Sequence, residues 1–335
     1  MGCNAMLVTD IWDSGLLKKY PEILDKLLYD NTTKKNIIWA TSNYEKRGKE
    51  YLPNKEIKTT LININPKSKI IKPRVEKSKT EQLKRIKANA EVFTPIWIVN
   101  KQNNLVDDAW FENKNIFNIE QENNTWVTTE KVIFAKNKTW QEYVTDIRLE
   151  VCCGEAPYLV SRYDAVSGNT IELKNRVGLL DRKFRVINEN AKTDDEWIEY
   201  SIKAIKSIYG YEFQGDNLFI ARCNVLLDYL DYYFDKFKSW PTKDLIFDIT
   251  NIISWNLWQM DGLKYVVPLS CHNVIKKTVQ LSLFEEISDP KPELCPGCKS
   301  EDPKLHNGKR CYIMDWETDR KIKFVSLIWR NDYEG

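Results

Sequence analysis

Cys295-Pro296-Gly297-Cys298, followed by His306 and Cys311, spells C-x2-C-x7-H-x4-C. Two thiolates separated by a Pro-Gly knuckle can reach one tetrahedral ion, and His306 with Cys311 would close its other side. All four candidates are protein side chains with no open position, the donor set of a structural zinc rather than a catalytic one. Cys271-His272 stands upstream as a substitute ligand pair, so the fourth donor stays open at this point. A zinc here would stabilise a loop-rich segment too small for a core of its own.

A second set of residues has the makings of a ligand turn. Glu150-Val151-Cys152-Cys153-Gly154-Glu155-Ala156 reads as a buried strand running into a tight turn. Small residues such as Gly154 and Ala156 let the backbone approach a ligand, and a helix behind the turn would aim its N–H groups at it. Two later acids close strand-like runs: Glu212 after Tyr209-Gly210-Tyr211, and Asp261 in Asp261-Gly262-Leu263. Carboxylates placed this way can accept hydrogen bonds from ribose hydroxyls or from the amino group of a purine. Taken singly, each acid is an ordinary strand-end or capping carboxylate. The ordered set is what suggests a site. Cys152 and Cys153 have no histidine near them in sequence, and the turn explains them better than thiol chemistry does.

These residues need elements to hold them. Leu16, Leu17, Ile23, Leu24, Leu27 and Leu28 repeat at helical spacing, and Asn36–Ala40 reads as a buried strand. Pro66 and Pro73 mark a linker before a helix at roughly Lys79–Asn89. Pro95 opens an amphipathic helix, and Asn113–Asn124 reads as a surface loop. A helix should start at Leu159–Tyr163 behind the glycine turn. Asp194, Asp195 and Glu196 open another helix through Trp197 to Ile208, and a long one follows from Asn217 to about Phe237. Ile246–Trp258 and Ile322–Trp329 read as strand-like runs. Strands alternating with helices of this length predict an α/β fold with a mainly parallel sheet. Three parts are expected. Residues 1–89 form a mixed extension with a basic linker, 90–270 the main domain with an insertion at about 161–208, and 271–335 the Cys/His subdomain with a final strand.

With 335 residues, 42% hydrophobic and 29% charged, the composition is that of an ordinary soluble protein with room for more than one domain. No apolar run approaches the length of a membrane span, and the N-terminus lacks the pattern of a secretory signal. Met6 stands where N-myristoylation wants Ser or Thr. Eight cysteines, unevenly placed, suit metal binding in the cytoplasm better than a disulfide framework. The net charge of +2 is neutral on partners, but nine Lys/Arg lie between Pro66 and Asn89 against Glu76 and Glu81. That strip is either a solvated face or a phosphate-facing one.

The ordered set resembles the gamma-ordered adenine-N6 DNA methyltransferases, which include modification subunits of restriction systems. Ala90-Glu91-Val92-Phe93-Thr94-Pro95 resembles their "FTP" motif, and Leu149 to Leu159 resembles their "L-[DE]-P-x-C-G-S-G-x-F-L" loop. There Glu150, Cys153, Gly154, Tyr158 and Leu159 match, while Ala156 replaces the second glycine. Tyr209 to Arg222 is similar to "G-x-E-x-D-P-x-A-x-x-x-A-R". The likeness spans roughly residues 90–265.

The resemblance implies a Rossmann-like fold that binds S-adenosylmethionine. Phe93, Thr94, Pro95, Glu150, Cys153, Gly154 and Ala156 would line the cofactor, Glu212 would hold its ribose, and Asp261 would lie beside its adenine. It implies DNA as partner and methyl transfer to adenine N6 in a restriction-modification or phage-defence system. The family's [DN]-P-P-[YFW] motif, whose aromatic stacks on a flipped base, is absent from the sequence. Asn331 and Tyr333 are the nearest substitutes, after the last apolar run. A second subunit could instead supply catalytic or target-recognition residues. The alternatives are a catalytically inactive subunit of such a system, or a zinc-dependent DNA-binding module on an unrelated α/β body.

Overall fold

Helices Leu16–Lys19 (α1) and Glu22–Leu28 (α2) bury Leu17, Ile23, Leu24, Leu27 and Leu28, as the spacing predicts. The computed structural model describes residues 15–62, 69–275 and 292–328. Tyr29–Asp30 (β1) pairs with Lys35–Asn36 (β2). The strand expected over Asn36–Ala40 is reduced to that end and a bridge between Ile38 and Glu56. Its remaining backbone groups find other partners: Ile38 bonds the Gln259 side chain through both N–H and C=O, and the Trp39 carbonyl accepts from Gly215.

Ser78 caps Lys79–Asn89 (α3), its hydroxyl accepting from the Glu81 N–H. Pro95 leads into Ile96–Phe111 (α4), which buries Val99, Asn103, Asp107 and Phe111 at four-residue spacing. Half of the expected Asn-rich loop is a hairpin, Asn118–Gln121 (β3) with Thr125–Thr128 (β4). Trp140–Thr145 (α5) starts at a reciprocal cap between Thr139 and Glu142, and Arg148–Glu150 (β5) follows.

No helix forms at Leu159–Tyr163. The Glu150 carboxylate takes the N–H groups of Tyr158 and Leu159, and the carbonyls of the same two residues accept from Leu179 and Leu180. Those groups are therefore not free for a helical ladder. The helix after the turn is Leu179–Asn190 (α6), followed by Asp194–Lys206 (α7), Ile208–Glu212 (β6) and Gly215–Phe237 (α8). Most of the run read as a strand at Ile246–Trp258 is helical, Lys243–Asn256 (α9). Its β-branched residues suggest a strand, but Ile246, Ile249 and Ile253 sit at helical spacing and are buried together. Only its end becomes a strand, Leu257–Gln259 (β7).

Strands β5, β6 and β7 form a three-stranded sheet in that order, parallel throughout, with Leu149 opposite Tyr209 and Glu212 opposite Gln259. Among the described residues the fold is mixed α/β with this sheet and four two-stranded ones. On one face, Ile208 and Leu257 join the main core with residues of α6 to α9. On the other, Tyr209, Tyr211, Trp258 and Met260 pack under Ile313 and Phe324. Ile313 comes from the hairpin Tyr312–Asp315 and Arg320–Lys323, and Phe324 directly follows it; the two strands are β10 and β11 once Val274–Ile275 (β8) and Pro292–Glu293 (β9) are counted. Pro296–Ser300 (α10) precedes the hairpin. Of the run expected as a final strand at Ile322–Trp329, the described part splits into the end of β11 and a short helix, Val325–Ile328 (α11).

Arg222 in α8 is fully buried and donates to the carbonyls of Leu27, Tyr29, Ser254 and Leu257. It therefore ties the ends of α2 and α9 to the start of β7. Burial is the main cause that pulls its pKa down to about 10. Arg222→Met should strand four buried carbonyls and lower stability by about 3 kcal/mol or more. Urea unfolding followed by circular dichroism checks this, and a midpoint equal to wild type would refute it.

Candidate functional site

Glu150, Glu212 and Asp261 all lie at the carboxyl end of the parallel sheet, where open α/β sheets receive ligands. Residues 151–159 turn back over that end. Three of them, Cys152, Gly154 and Ala156, have left-handed backbones with φ of 51°, 53° and 63°. The position where the family resemblance expects a second glycine thus has glycine-like geometry, and Ala156 adopts it at a cost of about 1 kcal/mol. Its methyl group is fully buried in the main core, which offsets that strain.

Two buried carboxylates hold the turn. Glu150 accepts from Tyr158 and Leu159, and Glu212 accepts from Gly154 at 2.9 Å and Gln214 at 3.0 Å. Cys153 adds a backbone bond to the Tyr211 carbonyl. Burial outweighs these N–H donors and raises Glu150 to about 8 and Glu212 to about 7. Cys152 is raised too, by burial first and then by the charges of Glu212 and Asp261, so those two acids act on one side chain. Asp261 itself accepts from the N–H groups of Leu263 and Lys264 and shapes its own turn.

Phe93 lies over the turn, its ring 3.7 Å from where a β-carbon on Gly154 would stand. It packs with Tyr163, Ala165 and Val75, while Thr94 and Pro95 are half-buried beside it. The structure therefore brings Phe93, Glu150, Cys153, Gly154, Ala156 and Glu212 together. Asn331 and Tyr333 lie outside the described residues.

Part of the basic strip turns inward. Lys69 pairs with Glu76, Lys77 and Arg85 are buried, and the Arg74 guanidinium lies 5.1 Å from the Phe93 ring centre. Among the described residues its exposed members are Lys79, Lys84 and Lys87 on α3. Charge counting misses this because the burial comes from partners distant in sequence, such as Asp216.

The metal-type cluster is Cys271, Cys295, Cys298 and His306, whose ligand atoms all lie within 4.8 Å of one another. The three sulfurs stand 3.7, 3.5 and 3.6 Å from His306 Nδ1. A tetrahedral ion with bonds of about 2.3 Å to sulfur and about 2.0 Å to nitrogen places those atoms about 3.5 Å apart. The donor set and spacing fit a structural zinc. The fourth member of the cluster is Cys271 and not Cys311. Cys311 is fully buried under the sheet, and its thiol donates to the Gln259 carbonyl. His272 points elsewhere: it is exposed, and only its backbone is clipped by Asn307.

Local sequence builds this knuckle. Cys295 caps α10 by accepting from the Cys298 N–H. Against a desolvation penalty, the N–H groups of Asn307 and Cys298 hold the Cys295 thiol down at about 6. Gly297 is required by close approach, since a β-carbon there would stand 2.5 Å from the His306 backbone nitrogen and 2.6 Å from its Nδ1. A half-open cleft of about 290 Å³ lies between the cluster and the sheet, with Phe213 and Asp261 on one side and Cys271, Cys295 and Cys298 on the other. The Cys/His module thus forms a wall of the site.

No family model, curated protein or solved structure matches the chain. Among the described residues, no helix is long and apolar enough to cross a membrane.

Metal analysis of purified protein should find one zinc per chain. Cys271→Ser and Gly297→Ala should lose it, and Cys311→Ser should keep it; zinc retained in Cys271→Ser would reverse the ligand assignment. A second outcome follows from the two raised carboxylates. Their native pKa values exceed the ordinary 4.5 for glutamate, so the folded state holds protons that the unfolded chain has released. The stability they contribute is complete below about pH 4.5 and is lost as pH rises through about 7 and then about 8. Urea midpoints between about pH 5 and 9 should fall in wild type and flatten in Glu150→Gln. An equal slope in both proteins would refute the assignment.

Proposed function

We propose that the chain binds S-adenosylmethionine on a Rossmann-like sheet and serves the methylation of adenine N6 in DNA, within a cytoplasmic restriction-modification or related defence system. The observation that carries this reading is the set of acids at the ends of β5, β6 and β7, ranged around a left-handed glycine turn with Phe93 above it. Glu212 would meet the ribose hydroxyls with the lone pairs left after its two backbone bonds. The cleft between Phe213, Asp261 and the metal module would take the adenine. Transfer from the sulfonium would then rest on alignment and on acceptors at the target amine, with no covalent enzyme intermediate.

A second reading, in which a partner completes the enzyme, is favoured by β5. Among the described residues it pairs only with β6, which leaves its other edge without a strand there, and Ile147, Leu149 and Val151 are exposed. Such an edge is a template for a further strand. In this reading the chain keeps the cofactor, and a second subunit brings the residues for base and target recognition.

Titration calorimetry with S-adenosylmethionine should show binding to the zinc-loaded protein. Both Glu212→Ala and Gly154→Trp should weaken it about tenfold or more, the latter by driving an indole into Phe93. A folded, zinc-loaded protein with no heat of binding would sink the proposal.

A further inference from the structure

The three thiols of the Cys/His cluster are not equivalent. Cys295 is buried and takes N–H groups from Cys298 and Asn307, and Cys271 takes one from Gly308. Among the described residues no N–H is directed at the Cys298 sulfur, which meets the His306 ring. Cys298 is also half-buried rather than enclosed, and it lines the cleft of about 290 Å³. An N–H bond occupies a lone pair that a thiolate would use to attack. Free lone pairs and access therefore single out the same sulfur.

A second sulfur stands ready beside it. Cys295 bonds the Cys298 thiol as well as its N–H, whereas Cys271 bonds Cys295 and acts on Cys298 by charge alone. The pair that would form a disulfide is thus Cys295 with Cys298, whose sulfurs lie within 4.8 Å.

The two walls of the cleft on this side are held differently. The loop from Asp261 to Ser270 is tied by hydrogen bonds to the start of the closing hairpin: Val267 N–H donates to the Lys309 carbonyl at 2.8 Å, and Lys309 N–H to the Ser270 hydroxyl at 2.9 Å. Cys271 follows that loop and meets the knuckle of α10 through sulfur. Removing the shared ion would leave the loop in place and free the knuckle.

We infer that Cys298 is a modification site for peroxide, and that its oxidation to a Cys295–Cys298 disulfide releases the metal and detaches the knuckle from the cleft. The Cys298 thiolate attacks one peroxide oxygen, so an S–O bond forms, the O–O bond breaks and hydroxide leaves. The Cys295 thiolate then attacks the Cys298 sulfur, forming the S–S bond and expelling a second hydroxide. Two electrons pass from the thiolates to peroxide, and two protons from solvent turn the hydroxides into water. Cys271 and His306 alone remain as donors, too few for a structural zinc.

The test adds hydrogen peroxide stepwise to the zinc-loaded protein, with a chromogenic chelator, peptide mass mapping and hydrogen exchange as readouts. Zinc should leave in step with a Cys295–Cys298 disulfide, and exchange should rise at Pro296–Ser300 but not over Asp261–Ser270. Reductant plus zinc should restore both. Cys152, exposed and outside the cluster, is followed separately in the same maps. Cys298→His, which keeps a zinc donor but has no sulfur there, should hold its zinc against the same peroxide. Zinc retained after oxidation, a first disulfide through Cys271, or unchanged exchange at the knuckle would overturn the inference. A reduced protein that holds no zinc would overturn it together with the metal assignment. The effect on ligand rests on the cofactor reading above: oxidised protein should bind S-adenosylmethionine more weakly than reduced, and equal binding would refute control of the cleft. Failure of the reduced, zinc-loaded protein to bind it would sink that reading alone, because zinc release and exchange test the switch without it.

Discussion

The architecture around the sheet depends on two carboxylates that leave water to hold backbone. Glu150 and Glu212 end adjacent parallel strands, and each spends both oxygens on N–H groups. Without those acceptors, a turn with three left-handed residues, two of them carrying β-carbons, would have little to fix it. Burial makes the charged form costly, so each acid releases its proton less readily than a solvated glutamate does. A ligand entering at the strand ends would meet a turn that is already shaped.

The two sides of this site are stabilised by different physics. On the sheet side, helices α6 to α9 and a dense aromatic core bury the apolar surface. On the far side the apolar cluster is smaller, and the segment between β7 and the closing hairpin adds little to it beyond Met260, Val267 and Cys311. There three thiols and an imidazole converge instead. A metal bond set concentrates in a few atoms the stabilisation that a core spreads over many side chains. Because Phe213 and Asp261 face this module across the cleft, the Cys/His cluster and the sheet share the work of shaping one pocket.

Charge placement follows the same economy. The residues between Pro66 and Asn89 are rich in lysine and arginine, yet Lys69, Lys77 and Arg85 point into the protein. Arg85 lies between Glu91 and Asp216, far apart in sequence, and links the segment before α4 to the start of α8. A buried pair of this kind contributes little net stability over an apolar replacement, but it disfavours arrangements in which either charge lacks its partner.

Local pattern was enough for much of the chain. Ser78 and its spacing to Glu81 mark α3, Pro95 marks α4, and Ile208 to Glu212 followed by a long apolar helix mark β6 and α8, because caps, prolines and periodicity act within a few residues. The Cys295-Pro296-Gly297-Cys298 knuckle is local in the same sense. Tertiary structure decided the rest. Ile246 to Asn256 is rich in β-branched residues but helical, since burial against neighbouring helices outweighs propensity. Leu159 to Tyr163 loses its helix because Glu150 and α6 take the backbone groups it would need. Cys271 displaces Cys311 as the third thiol of the cluster, since which sulfur reaches it depends on where the sheet face buries the other. Sequence determines what a short segment can do by itself. Which distant group satisfies it is settled only when the chain closes.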